Sequence, residues 1–164
     1  MRILTETNST LLNVSLLLLR GMVGVVLFPA GAGKVFGWFG GFGIEKTLGF
    51  YAMMSFSAPL AYLSMFTEFI GGFLLMVGLF TRPVAVAVAI NMLVAFIVTI
   101  PKGFLIGMAA FPFSLMLAAI IIFLTGPMAY SVDAIFIQPG EVIRNRREES
   151  SQLAGRADWT KGNI

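Results

Sequence analysis

Two charged side chains stand inside long apolar stretches of this sequence, and they are the first candidates for chemistry. Arg20 lies in an apolar run over about residues 11–31, and Glu68 lies in a second run over about residues 60–80. In helices of that length each side chain would sit about 14 Å from one helix end, close to the middle of a bilayer. At that depth a guanidinium can donate to a quinone carbonyl or an oxyanion, and a carboxylate can take up a proton.

The cost of an isolated charge in hydrocarbon predicts how these two groups are arranged. That cost is at least about 2.5–3.5 kcal/mol on insertion scales, and pairing removes part of it, so we predict an ion pair between Arg20 and Glu68. Asn91 and Ser114 fall near the same depth in two further apolar runs. We therefore expect one inward-facing polar layer made of Arg20, Glu68, Asn91 and Ser114. Such a layer could bind a ligand or could only fix the register of the helices, and both interpretations stay open.

The composition identifies a chain whose surroundings are largely lipid. Of 164 residues, 58% are hydrophobic and 12% are charged, against about 45–50% and about 25% in soluble domains. The sequence contains no Cys and no His, which excludes disulfides, iron–sulfur ligation, His-ligated metals and a His general base. We expect no metal site. The net charge of +3 is small and scattered, so a nucleic-acid partner is not expected, and the predicted partner is the bilayer.

The spacing of the charged and turn residues predicts the elements that must position these side chains. Four runs are long enough to be membrane spans, at about residues 11–31, 60–80, 84–100 and 104–125. Pro59 divides the stretch before the second span, so residues 47–57 are expected to form an interfacial or re-entrant helix. Short later connections favour antiparallel neighbours. The predicted fold is therefore all-α, an integral-membrane up-and-down bundle of four helices within residues 11–127.

The distribution of Lys and Arg predicts the orientation. Omitting Arg20 inside its span, seven basic residues fall on the side of the termini and three on the opposite side. The seven are Arg2, Arg82, Arg144, Arg146, Arg147, Arg156 and Lys161, and the three are Lys34, Lys46 and Lys102. The positive-inside rule then places residues 1–10 and a mobile, charged tail at residues 128–164 in the cytoplasm.

The connection after the first span has an unusual composition. Residues 35–46 interleave four glycines with aromatic side chains, a composition that suits a loop bending over the bundle at the membrane interface. Phe36, Trp38, Phe39 and Phe42 are therefore candidates for a lid.

Several segments, taken in order, resemble the DoxX family of small bacterial inner-membrane proteins. They are Leu19, Arg20 and Gly21; Ala30, Gly31, Gly33 and Lys34; the aromatic and glycine run to Gly43; Glu68, Gly71 and Gly72; Gly78, Leu79, Phe80, Thr81 and Arg82; and Gly126, Pro127, Ser131, Val132 and Asp133. The resemblance implies a four-helix protein of the bacterial plasma membrane. Some relatives are linked to membrane oxidoreductases, including a subunit of thiosulfate:quinone oxidoreductase. Because this chain has no Cys, sulfur chemistry on its own thiols is excluded and would need a partner.

Three functions follow as expectations, and whether the chain is itself an enzyme is left open. The first is a subunit of a membrane oxidoreductase complex, non-catalytic or quinone-binding, with soluble or membrane redox partners and no covalently bound cofactor. In it, Arg20 and Glu68 are the polar contacts and the aromatic loop is the cover. The second is a small transporter or proton-coupled carrier, in which Glu68 moves protons. The third is a membrane anchor or assembly factor whose tail engages a partner.

Overall fold

A computed structural model describes residues 9–104, 108–126 and 131–133 of the chain. These residues form five α-helices and two short 3-10 turns, and they contain no strand, so the all-α prediction is confirmed. The helices are α1 (Ser9–Phe36), α2 (Gly43–Met53), α3 (Ala58–Val77), α4 (Thr81–Thr99) and α5 (Ala110–Thr125). The predicted tail from residue 134 onward and most of the predicted N-terminal segment lie outside the described residues.

Three segments are long and apolar enough to cross a membrane. They are Leu11–Phe36, Ala58–Val77 and Thr81–Lys102. Helix α5 is equally apolar, but its 16 residues extend only about 24 Å at 1.5 Å per residue, against a hydrocarbon core of about 30 Å. The described part of the chain is therefore a membrane protein with three helices of full spanning length and one shorter apolar helix.

Glycines set the register between α1 and α3. A Cβ on Gly24 would overlap Met76, and a Cβ on Gly31 would overlap the backbone of Phe69, so these two helices approach backbone to backbone. Gly72 of α3 lies against the backbone of α1 in the same seam. The contacting residues have decreasing numbers on α3 as the numbers on α1 increase, so the two helices run antiparallel. Small residues permit this close approach in the absence of a hydrophobic driving force between helices.

A glycine turn joins α3 to α4. Gly78 has φ +75° and caps α3, with its N–H and that of Leu79 both donating to the Leu74 carbonyl. This left-handed conformation is one that glycine adopts without a steric penalty. The turn is tight, so α4 returns along α3, and Gly71 packs against Val84 and Val88 of α4.

The helices form two closely packed pairs, α1 with α3 and α4 with α5, joined along the contact between α3 and α4. Side chains from all four helices meet in one apolar core. Its buried members are Val23, Leu27, Leu75, Ala85, Val88, Met92, Leu115, Ala118, Ala119 and Ile122.

In the connection from α1 to α3, the helices begin and end at other residues than predicted. Helix α1 continues to Phe36, beyond the predicted end of the first span at residue 31. The chain then folds back, so that Gly37 donates to the Gly33 carbonyl at 3.1 Å and Gly41 lies directly on Gly33. Helix α2 follows, too short at 11 residues to cross a bilayer. It begins before the predicted residue 47, and Pro59 lies in the first turn of α3, where proline is tolerated.

Candidate functional site

A buried ion pair joins the end of α1 to the middle of α3. The Nζ atom of Lys34 lies 2.6 Å from Oε1 and 2.5 Å from Oε2 of Glu68. The Glu68 side chain is 6% exposed, whereas the Lys34 side chain is 33% exposed. Lys34 stands in the last turn of α1, where a cation also interacts favourably with the helix dipole. The carboxylate is therefore enclosed, while its cationic partner is reachable from outside.

This geometry corrects the predicted pairing of Arg20 with Glu68. The α1–α3 seam places Gly31 level with Glu68 and Phe69. Arg20 comes 11 positions earlier, about 16 Å away along the helix. The prediction measured depth from the expected end of each apolar run, but α1 extends to Phe36 and its glycines set the register. Glu68 therefore meets Lys34, and Arg20 lies toward the opposite end of α1.

Helix α2 makes one polar contact with each of the two helices that carry the ion pair. The Thr47 hydroxyl, which is buried, donates to the Lys34 carbonyl at 3.3 Å. The Tyr51 hydroxyl and the Ser64 hydroxyl lie 2.9 Å apart, and either can be the donor. Ser64 precedes Glu68 by one turn of α3. We call the set Lys34, Thr47, Tyr51, Ser64 and Glu68 the Lys34 end of the molecule.

The aromatic residues predicted as a lid lie at the same end. Phe36 stacks on Trp38 with ring centroids 4.9 Å apart, and it meets the edge of Phe69 at 5.3 Å. Phe39 and Phe42 are strongly exposed. The close contact between the loop and the end of α1 fixes the position of the loop, and the rings of Phe39 and Phe42 face outward. Whether they close over a ligand stays a prediction.

The opposite end contains the second cluster of charged groups. Asp133 accepts hydrogen bonds from the Phe80 and Thr81 backbone N–H groups, both at 2.8 Å, and its own N–H donates to the Gly78 carbonyl at 3.1 Å. The Arg20 guanidinium, which is buried, lies against Gly78 so closely that a Cβ there would be 2.7 Å from its Cζ. We call Arg20, Gly78, Phe80, Thr81 and Asp133 the Asp133 end.

Asp133 therefore caps the first turn of α4 from a distant part of the chain. A carboxylate in this position satisfies N–H groups that have no partner within the helix, and it complements the helix dipole. Burial works to raise the pKa of Asp133, but the hydrogen bonds from Thr81 and Phe80 and the attraction of Arg20 outweigh it, so this pKa lies below its usual value.

The other two members of the predicted polar layer do not join Glu68. Ser114 is exposed on the outer face of α5, and its hydroxyl donates to the Ala110 carbonyl at 2.8 Å. This corrects the prediction that Ser114 faces inward. Asn91 is half-buried, and its Nδ2 atom is buried with no hydrogen-bond partner among the described residues. The four side chains thus occupy separate places, and a ligand-binding role for any of them stays a prediction.

A crevice opens between α1 and α5 at the Asp133 end. It is lined by Asn13, Leu16, Leu17, Arg20, Ile122, Thr125 and Gly126. These residues belong to the first half of α1 and to the end of α5, and the two segments lie together at the Asp133 end. The volume of about 10 Å³ corresponds to a single water-sized sphere. The crevice therefore has no room for a quinone ring.

Sequence reasoning missed the roles of Lys34, Thr47, Tyr51, Ser64 and Asp133. Lys34 contributed to the orientation and to the family resemblance but was not predicted as the partner of Glu68, although its place three residues after Gly31, at the edge of an apolar run, is a signal for a cation near Glu68. No comparable signal marks Thr47, Tyr51 and Ser64, because their hydrogen bonds depend on how α2 lies across α1 and α3.

Comparison with known proteins connects this architecture to a family. Residues 15–102, more than half of the chain, match the family model described as DoxX. A protein of Bacillus subtilis (strain 168) named "Putative oxidoreductase CatD" is 32% identical over 120 residues, which cover 73% of this chain and 85% of that protein. No solved structure matches the chain significantly.

Proposed function

Because this chain belongs to the DoxX family of membrane proteins, we propose that it is a subunit of an oxidoreductase complex in the bacterial plasma membrane, and that its Lys34–Glu68 pair binds a quinone headgroup. The observation that carries the proposal is the enclosed Glu68 carboxylate, whose partner Lys34 remains reachable. The printed name of the Bacillus subtilis relative supports the redox assignment.

The composition indicates that another subunit would hold the electron-carrying centre. The chain contains neither Cys nor His, so its own side chains offer no thiol pair and no imidazole ligand for an electron-carrying centre. Electrons would therefore pass between a redox partner and a carrier soluble in the membrane. A quinone is such a carrier, and it needs an apolar site with a few well-placed polar groups.

Lys34 and Glu68 would act in sequence when a quinone binds. An ammonium group has three donors, so Lys34 can direct one at a quinone carbonyl oxygen. Once the ammonium turns toward the ligand, the buried Glu68 carboxylate is left without its ion-pair partner, and an unpaired buried charge is costly. The carboxylate then takes up a proton, so ligand binding at Lys34 is coupled to protonation of Glu68.

The surrounding elements suit an interfacial site. In this proposal α5 completes a bundle of four spans, and α2 lies at the membrane surface with the aromatic loop. The exposed rings of Trp38, Phe39 and Phe42 are of the types that concentrate at membrane interfaces. In this proposal the Asp133 end faces the cytoplasm, as the predicted excess of Lys and Arg on that side of the sequence favours, and the Lys34 end faces the outer side.

Thermal unfolding of the purified protein with a short-chain ubiquinone or menaquinone analogue tests this function. A ligand at 100 times its Kd stabilises the folded state by about 2.7 kcal/mol, so a clear rise in Tm is expected. Lys34→Met should abolish the rise. Lys46→Met is the matched control, since Lys46 is an exposed lysine at the same end, and it should keep the wild-type response.

Two further results decide the proposal. Because Lys34→Met leaves Glu68 buried without its partner, the double variant Lys34→Met with Glu68→Leu provides a second, uncharged background. A saturable Tm shift that persists in both backgrounds places quinone elsewhere. If neither quinone class shifts the Tm of the wild-type protein, the proposed function is wrong, and the transporter and assembly-factor hypotheses gain ground.

A further inference from the structure

Two hydroxyl side chains, one on α2 and one on α3, lie near the enclosed carboxylate. Tyr51 is half-buried on α2, and its hydroxyl lies 2.9 Å from that of Ser64 on α3. Ser64 and Glu68 are separated by four positions on α3, which places their Cβ atoms about 5–6 Å apart on one helix face. Tyr51 and Ser64 therefore form a hydrogen-bonded pair one helical turn from Glu68, on the α3 face that carries it.

We propose that Tyr51 and Ser64 form a proton relay that delivers a proton to Glu68 when Lys34 engages a ligand. This inference rests on the proposed function and adds the route of the proton. The Ser64 hydroxyl gives its proton to the Glu68 carboxylate and receives one from the Tyr51 hydroxyl. The phenol is then reprotonated from the aqueous side, so one proton moves inward and no electrons are transferred.

The chemistry of the groups explains why this route differs from Lys34. Each hydroxyl can donate and accept a hydrogen bond, whereas an ammonium group can only donate. The Tyr51–Ser64 bond can therefore reverse its direction after each transfer, which a relay requires. Lys34 is also the group that the ligand occupies, so its own path to Glu68 is closed when the proton is needed.

The ion pair itself would switch the relay on. In the ligand-free state both carboxylate oxygens of Glu68 face Lys34, and the Ser64 hydroxyl faces Tyr51. When Lys34 turns to the ligand, the Glu68 side chain is free to rotate toward Ser64, one helical turn away. The remaining charged side chains of the described part at this end are Glu45, Lys46 and Lys102, all exposed.

The first test needs no ligand. In the variant Lys34→Met, Glu68 has lost its ion-pair partner. A rapid pH drop then protonates Glu68, and the infrared band of its carboxylic acid measures how fast this happens. The band is assigned by its loss in Glu68→Gln. Adding Tyr51→Phe or Ser64→Ala should slow its appearance at least tenfold without changing its final amplitude. Tyr62→Phe, at an exposed tyrosine of α3, should leave the rate unchanged.

The second test keeps Lys34. Wild-type protein in weak buffer is mixed with the short-chain quinone analogue, and a pH-sensitive dye reports proton uptake. Tyr51→Phe and Ser64→Ala should slow uptake at least tenfold while quinone affinity stays the same. Normal binding with wild-type uptake rates in both variants overturns the relay alone. If the wild-type protein binds no quinone, the proposed function fails, and equal rates in the pH-drop experiment then overturn the relay separately.

Discussion

The two ends of this molecule use buried charge in different ways. At the Asp133 end the carboxylate accepts two backbone N–H groups and lies near an arginine packed on a helix terminus. At the Lys34 end the carboxylate is held by one lysine through both of its oxygens. Backbone partners cannot leave without unfolding the turn, whereas a lysine side chain can rotate away. The comparison separates a cluster built to hold the chain from one that can exchange its partner.

The largest effect should come from removing one member of the Lys34–Glu68 pair. Leaving one partner of a buried pair uncompensated costs about 3–5 kcal/mol, so Lys34→Met should lower the unfolding free energy by about that amount. Denaturant titration in mixed micelles measures it. The double variant Lys34→Met with Glu68→Leu should recover most of the loss. A double variant no more stable than the single one would show that the lysine acts through packing.

The glycine at the opposite end should be the next most sensitive position. Gly78→Ala places a side chain in a left-handed conformation, which costs about 1–2 kcal/mol, and its Cβ meets the Arg20 guanidinium. We expect a total loss of about 2–3 kcal/mol, read from Tm. Gly21→Ala is the control, because a Cβ there meets nothing within 4 Å. Equal Tm values for the two variants would contradict the close contact between Arg20 and Gly78.

Asp133→Asn should destabilise the protein by about 1–2 kcal/mol at neutral pH, since it weakens the cap on α4. The pKa of Asp133 is lowered in the folded protein, so its stabilising effect is complete well above the ordinary value of 3.8 and is lost as pH falls through the folded pKa. The Tm difference between wild type and variant should therefore disappear in strong acid. A difference that is constant from neutral to acid pH would exclude a role for the ionised carboxylate.

Arg82 should give the smallest effect. Its guanidinium lies against Gly126, which caps α5 with φ +72°, but the residue is exposed. A cation near a helix C-terminus contributes about 0.3–1 kcal/mol, and salt screens it. Arg82→Gln should lower Tm slightly at low salt and leave it unchanged at high salt. A loss as large as that of Asp133→Asn would place Arg82 among the essential groups of the Asp133 end.

The sequence was sufficient to predict what depends on local physics. Apolar length predicted the three helices of spanning length, although the fourth predicted span is the shorter helix α5, and Pro59 predicted the break before α3, because both reflect constraints within one segment. The partner of Glu68 could not be predicted from constraints within one segment. Which α1 side chain it meets depends on where Gly24 and Gly31 allow α3 to dock, a relation between two helices separated by α2.

The remaining errors have similar causes. Helix α5 is apolar around most of its surface, so its small residues could not reveal that Ser114 faces outward. Asp133 caps a turn more than 50 positions earlier in the chain, and no spacing rule joins residues so far apart. Contacts between distant segments are the part of the site that required the structure.

The division of the helices into two close pairs has a mechanical consequence. Each pair packs closely, whereas the two pairs meet mainly along the contact line between α3 and α4, with a smaller contact between α1 and α5, and share the short turn at Gly78. Slow deformations of the molecule should therefore follow that line, with α1 and α3 tilting as one body against α4 and α5. Paired spin labels on α1 and α5 would register this rocking as a broad distance distribution, and labels on α1 and α3 would give a narrow one.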